Sequence, residues 1–161
     1  NKPSIIINTS SDYVDMCEYI QKQLTEIGFE VEIDVKPAVT LRQLVAKAKL
    51  NVFRKNWIAD YPDAESYLAL FYSDNFTPKG PNYCQFSNEE FDWLYEKSQL
   101  ETNDSIRHQY YREMDSIIIS EAPIVPLYYD QVIRLVQNNI TGLNRNPMNL
   151  LTLKKVKKEN D

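Results

Sequence analysis

The sequence predicts an α/β fold with a mixed sheet flanked by helices. Two observations support this class. Residues 4–56 alternate between short apolar segments and amphipathic segments in the order β-α-β-α-β, which favours parallel strand pairs covered by helices. Further strand-like segments follow three helical patterns in the second half. A chain of 161 residues can bury its own core, so we expect residues 1–161 to form a single domain.

The first strand and helix are predicted from apolar periodicity. The apolar run at 4–9 is typical of a buried strand. Polar residues 10–12 offer side chains that cap a helix start. Apolar residues then recur at helical spacing over 14–27, and Gly28 is expected to end that helix.

The next strand is predicted from strict alternation. Residues 29–35 place apolar side chains on one face and acidic ones on the other, which indicates a strand with one solvated face. Thr40 is expected to cap a second helix. A short apolar segment at 50–53 completes the alternating half.

The second half is predicted to be mainly helical before it returns to strands. A helix is expected from Pro62 or Asp63 to Phe71, another begins with Ser87 as its cap, and a third covers 103–121. Three later apolar segments are predicted as strands: 124–129, 132–136 and 150–156.

Composition excludes several classes of function. The 18 basic and 23 acidic residues give a net charge of −5 and are spread evenly, so no nucleic-acid surface is expected. No apolar run has the length of a membrane span. His108 is the only histidine and the three glycines are isolated, so we expect neither a metal site nor a phosphate-binding loop, and no cofactor. Cys17 is expected to be buried, and pairing with Cys84 stays open.

The 54–63 loop concentrates the side chains that a binding cleft needs. It follows a predicted strand, and ligands of open α/β sheets collect beyond the carboxyl ends of strands. Asp60 can receive an ammonium group, Trp57 and Tyr61 can form flat walls, and Arg54 can bind a carboxylate in bidentate fashion. The alternative is that the acidic residues cap a helix and Trp57 belongs to the core.

The same loop resembles a segment of a known family. Residues 56–63 read NWIADYPD and are similar to the GWxADYPDPxxFLxxLF segment of family 5 extracellular solute-binding proteins, the oligopeptide- and dipeptide-binding proteins of ABC importers. Segments 20–32, 82–94 and 110–129 resemble further motifs of that family. The four segments stand in the family's order and together cover nearly the whole chain.

The resemblance implies both a fold and a set of ligand contacts. It implies that residues 1–161 are the C-terminal lobe of a longer, two-lobed periplasmic-binding-protein-like molecule. By resemblance, Asp60 pairs with the ligand's amine in the cleft between the lobes, Trp57 and Ile58 lie along the peptide backbone, and Arg54 helps to receive the peptide's carboxylate. Asn56 stands where the family has glycine.

The resemblance also implies a function and partners. We expect a substrate-binding component of an ABC importer rather than an enzyme, with a peptide ligand, the N-terminal lobe of the parent chain and a membrane permease as partners. A monomer is expected, at the periplasmic or external face of the membrane, with a lipid anchor upstream as one option. Several alternatives stay open: a nickel complex, haem or a sugar oligomer as the ligand, a non-transport interaction module, or a hydrolase that uses Asp60 and Asp63.

Overall fold

The structure is a computed structural model that describes residues 2–144, 146, 148 and 150–159. The first half forms the predicted alternation of strands and helices. Its elements are β1 (Ser4–Thr9), α1 (Val14–Glu26), β2 (Glu30–Val35), α2 (Ala38–Ala46) and β3 (Val52–Phe53).

The three strands form one parallel sheet in the order β2-β1-β3. In the central strand, Ile7 pairs with Ile33 of β2 and with Val52 of β3. Ile7 and Thr9 are buried, which explains why an apolar run forms the middle of the sheet. The predicted parallel pairing is confirmed. Every strand of this sheet is parallel, so the sheet is not mixed as predicted.

Of the helix caps predicted from the sequence, the one at Gly28 is confirmed and three are wrong. Gly28, at φ +105°, ends α1: its amide donates to Thr25 and the Phe29 amide donates to Leu24, the paired bonds of a Schellman motif. The predicted caps at 10–12 are wrong, because a short 3₁₀ turn (Ser11–Tyr13) precedes α1 and no side chain caps it.

The two other predicted caps are also wrong. Thr40 lies inside α2, because Pro37 precedes the first helical residue and its fixed φ suits a helix start. Ser87 lies one residue outside its helix, because Asn88 is the cap and its side chain accepts a 2.9 Å hydrogen bond from the Phe91 amide.

Three helices build the main hydrophobic cluster. They are α3 (Glu65–Leu68), α4 (Glu89–Leu100) and α5 (Asp104–Glu121). Phe91 and Met114 are completely buried where α4 packs on α5, and Leu68 attaches α3 to the same cluster. We call these helices and their buried side chains the helical core. The helix predicted as far as Phe71 is shorter than expected, since α3 ends at Leu68.

The three strands predicted near the C-terminus are wrong. Residues 124–136, here called the C-terminal stretch, contain no strand, and 150–156 precede the short β5 (Lys157–Lys158). That strand pairs with β4 (Ile140–Thr141) in an antiparallel sheet separate from the first. A strand needs a hydrogen-bonding neighbour, and the described residues provide none for the stretch, whose apolar side chains are exposed.

Cys17 is buried, as predicted, and both it and Cys84 are free thiols. His108 lies exposed on α5. Within the described residues no helix is both long and apolar enough to cross a bilayer.

Candidate functional site

The 54–63 loop leaves the sheet beside the central strand. The Arg54 amide donates a 3.0 Å hydrogen bond to the Asn8 carbonyl, which extends the pairing of β3 with β1. Asn56 is not among the residues with positive φ, so the loop entry does not require glycine. The loop therefore begins at the carboxyl ends of parallel strands, where ligands of open α/β sheets collect.

Asp60 presents its carboxylate to solvent. The residue is exposed, and nothing in the described ranges forms a hydrogen bond or ion pair with its carboxylate. Its amide, by contrast, donates a 3.0 Å hydrogen bond to Ser66 Oγ. The backbone of Asp60 is held while its charged group stays available to a cation.

Trp57 is held by the same serine. Its indole Nε1 donates a 2.9 Å hydrogen bond to the Ser66 carbonyl, and its ring is half-buried. Ser66, which is 3% exposed, thus joins Trp57 and Asp60, two of the loop residues that the resemblance singles out. The sequence alone does not reveal this role of Ser66. The contacts form only because the loop folds back on the start of α3, which brings Ser66 to residues six and nine positions earlier in the chain. The available signal is a small hydroxyl residue in the first turn after the loop.

Arg54 lies between aromatic rings rather than against an acid. Its guanidinium carbon is 3.3 Å from the centre of the Tyr13 ring, and its terminal nitrogens donate long, 3.4 Å bonds to Asn56 and Tyr128. Its Nε is buried without a hydrogen-bond partner. None of the ion pairs found in the described part of the chain includes Arg54, so its charge is available to an anion.

Ile58 and Tyr61 are both exposed, at 70% and 47%. Ile58 follows Trp57 directly in the loop and presents an apolar side chain to solvent. Tyr61 lines a polar cleft of about 170 Å³, together with Asp63, Arg107 and others. The structure brings Trp57 and Asp60 together on Ser66, whereas Tyr61 belongs to the cleft on the α5 side.

Asp63 is a structural residue in this arrangement. It accepts a 3.0 Å bond from the Glu65 amide at the start of α3 and lies 3.4 Å from Arg107. Burial, followed by the hydrogen bond with Asp63, raises the pKa of Tyr111 to about 12. The Asp63 carboxylate is therefore engaged, unlike that of Asp60.

Lys55 points away from these contacts. Its Nζ lies 3.9 Å from the centre of the Tyr83 ring, and burial, with the nearby charge of Arg42, lowers its pKa. Across the described ranges, no group of three or more His, Cys, Asp or Glu side chains is arranged to hold a metal ion.

Comparison with known proteins shows that the chain is similar to bacterial solute-binding proteins. The family model described as bacterial extracellular solute-binding proteins, family 5 Middle, matches residues 2–78. The dipeptide-binding protein DppE of Bacillus subtilis (strain 168) is 25% identical over 153 residues, which is 94% of this chain and 27% of that protein. The probable deoxycholate-binding periplasmic protein YgiS of Escherichia coli (strain K12) is 30% identical over 112 residues, 65% of this chain and 20% of that protein.

The fold also matches a solved structure. A dipeptide-binding protein from Pseudoalteromonas sp. SM9913, in complex with Met-Leu, superimposes with a TM-score of 0.79 and 25% identity over 98% of this chain and 32% of its own. This likeness confirms the predicted fold class, α/β in a lobe of a periplasmic-binding-protein-like fold. The chain spans about a quarter of the length of the curated relatives that it matches. The chain is thus similar to family 5 of the bacterial extracellular solute-binding proteins.

Proposed function

We propose that this chain belongs to an extracytoplasmic substrate-binding component of an ABC importer, and that its ligand is an oligopeptide or dipeptide whose amine pairs with Asp60. The observation that carries the proposal is the free Asp60 carboxylate on an anchored loop. A charge-assisted hydrogen bond from an ammonium group to such a carboxylate contributes about 1.5–3 kcal/mol. An acetylated peptide has no ammonium group to offer.

The names of the relatives support a peptide ligand. DppE is named a dipeptide-binding protein, and the Pseudoalteromonas structure holds the dipeptide Met-Leu. These relatives are all named as binding proteins, which supports binding rather than catalysis. A hydrolase using Asp60 and Asp63 would need two available carboxylates, and Asp63 is engaged with Arg107 and the start of α3.

The other residues of the loop have distinct roles in this proposal. Trp57 and Ile58 form an apolar surface along the peptide backbone, with Tyr61 as a further aromatic wall. Arg54, whose charge has no acidic partner in the described part of the chain, receives the peptide's carboxylate.

We also propose that residues 1–161 form one lobe of a longer, monomeric protein. The chain covers about a quarter of its curated relatives, and the C-terminal stretch exposes side chains such as Ile133 and Leu135 at 84% and 96%. These side chains would pack on the N-terminal lobe. The two lobes would then close around the ligand. A membrane permease would recognise the closed form at the external face of the membrane.

The test is a titration of the full-length native protein with a tripeptide and with its N-acetylated form. We expect the free peptide to bind more tightly, and Asp60→Asn to weaken its binding about 10- to 100-fold. The matched control is Asp115→Asn, an exposed aspartate on α5, which should leave the affinity unchanged. Equal affinities for the two peptides would exclude this role for Asp60.

One relative favours a second candidate. YgiS, at 30% identity, is named a probable deoxycholate-binding protein, and deoxycholate is an apolar anion without an amine. Arg54, beside the apolar loop surface, could receive its carboxylate. If deoxycholate binds, and Arg54→Gln weakens that binding while Asp60→Asn does not, the second candidate replaces the first.

A further inference from the structure

Ser66 makes one hydrogen bond with Trp57 and one with Asp60, and no other described residue duplicates them. Its Oγ accepts the hydrogen bond of the Asp60 amide at 3.0 Å, and its carbonyl accepts that of the Trp57 indole at 2.9 Å. The residue is 3% exposed, so water does not readily replace either contact. One buried residue therefore holds both the charged and the aromatic part of the loop.

The helical core holds Ser66 in turn. Ser66 lies in the first turn of α3, and the Asp63 carboxylate, just before the helix, accepts a hydrogen bond from the Glu65 amide. Two residues later, Leu68 is buried in the main hydrophobic cluster. The short helix α3 therefore connects the loop to the packed part of the molecule.

The hydroxyl of Ser66 holds the Asp60 amide, which lies next to the Cα atom that carries the carboxylate side chain. An amide that is fixed by a hydrogen bond restricts the backbone dihedral angles on either side of it, and these set the direction of the Cα–Cβ bond. Without the Oγ acceptor, the Asp60 amide would be left without its protein partner. Its carboxylate would then sample several positions, and each would lower the fraction of molecules ready for a ligand.

We propose that Ser66 is a positioning residue for ligand binding, which acts by holding the Asp60 backbone so that the carboxylate meets the ligand's amine. This inference rests on the proposed function. It adds that the preference for a free amine is set by a buried serine that does not touch the ligand.

The experiment uses Ser66→Ala in the full-length native protein and has two readouts. The first is hydrogen exchange at the Asp60 amide without ligand, which should become at least about 10-fold faster, because the amide loses its acceptor. The second is the affinity for a free tripeptide and for its N-acetylated form. We expect the affinity for the free peptide to fall about 3- to 10-fold and that for the acetylated peptide to change by less than about twofold.

Ser98→Ala is the matched control. Ser98 is equally buried, at 2% exposure, and its hydroxyl bonds only to the Tyr95 carbonyl within α4. Ser98→Ala should show the loss of stability that comes from removing any buried serine hydroxyl. It should not change hydrogen exchange at the Asp60 amide or the preference for the free amine. Thermal unfolding of both variants shows that the compared proteins are folded.

A double mutant separates this inference from the proposed function. If Asp60→Asn removes the preference for the free amine, Ser66→Ala should add less than about a twofold effect in that background. An unchanged preference in Ser66→Ala, or equal losses with and without Asp60, would overturn the role of Ser66 while leaving that of Asp60 intact. If Asp60→Asn itself has no effect on the preference for the free amine, the proposed function is overturned, and the positioning role with it.

Discussion

The helical core and the C-terminal stretch contain the same kinds of side chain, but only the first is covered. In the core, Phe91 and Met114 are fully buried among other apolar residues. In the stretch, Tyr129 and Leu135 are 93% and 96% exposed. The core stabilises itself within this chain, whereas the large apolar side chains of the stretch stay exposed.

The contrast shows that an apolar pattern is only half of the information that burial requires. Burying a large apolar side chain gains about 1.5–3 kcal/mol, but only where a second surface excludes water. Helices α4 and α5 supply that surface to each other. The stretch would gain the same energy only against a further part of the protein, which agrees with the proposed second lobe.

Proteolysis should show the largest difference between the two regions. In the 161-residue chain, chymotrypsin should cut after Tyr129 at least about a thousandfold faster than after Phe91. Cutting within α4 requires an opening that costs several kcal/mol, and the exposed stretch needs none. Mass spectrometry of the early fragments measures both rates.

The full-length protein extends this comparison. If the stretch packs on a second lobe, cleavage after Tyr129 should slow greatly in the full-length protein. Equally fast cleavage in both forms would contradict the proposed packing.

Truncating one side chain in each region should give the next largest effect. Phe91→Ala should lower the free energy of unfolding by about 3–5 kcal/mol, because it leaves a cavity in the core. Leu135→Ala should change it by less than about 0.5 kcal/mol in the 161-residue chain. Urea denaturation measures both values, and similar losses would mean that the stretch is already packed.

The same contrast explains which parts of the fold could be predicted. The parallel sheet of residues 4–53 was predictable, because each strand finds its neighbour within the alternating half. The strands predicted at 124–129 and 132–136 are wrong, because an apolar segment suits a strand but does not show that a hydrogen-bonding partner exists. At the candidate site, the chemistry of Asp60 and Trp57 could be predicted from residue types. Ser66 could not, because hydrogen bonds across a folded-back loop leave no periodic pattern.

Alkaline pH tests the packing of the core through Tyr111. Its pKa is raised to about 12 by burial and by the hydrogen bond with Asp63, against about 10 in an unfolded chain. The stabilising contribution is therefore fully present below pH 10 and is lost as the pH rises towards 12. Between pH 9 and 11.5, the free energy of unfolding should fall for both proteins. The fall should be about 1–2 kcal/mol smaller for Tyr111→Phe than for the unchanged protein.

Tyr129→Phe, in the exposed stretch, is the control for this measurement. It should follow the unchanged protein at every pH. Thermal unfolding across the pH series gives the comparison, and identical profiles for Tyr111→Phe and the unchanged protein would show that the Tyr111 phenol is not buried against Asp63.

The smallest effect is expected where the C-terminal stretch touches the 54–63 loop. The terminal nitrogen of Arg54 donates a 3.4 Å hydrogen bond to the Tyr128 hydroxyl, and Tyr128 is more than half exposed. Tyr128→Phe should change the free energy of unfolding by less than about 0.5 kcal/mol, because water can replace the lost acceptor. Urea denaturation of the 161-residue chain measures this. A loss above about 2 kcal/mol would mean that the stretch is energetically part of the fold, and its exposed apolar side chains would no longer point to a missing partner.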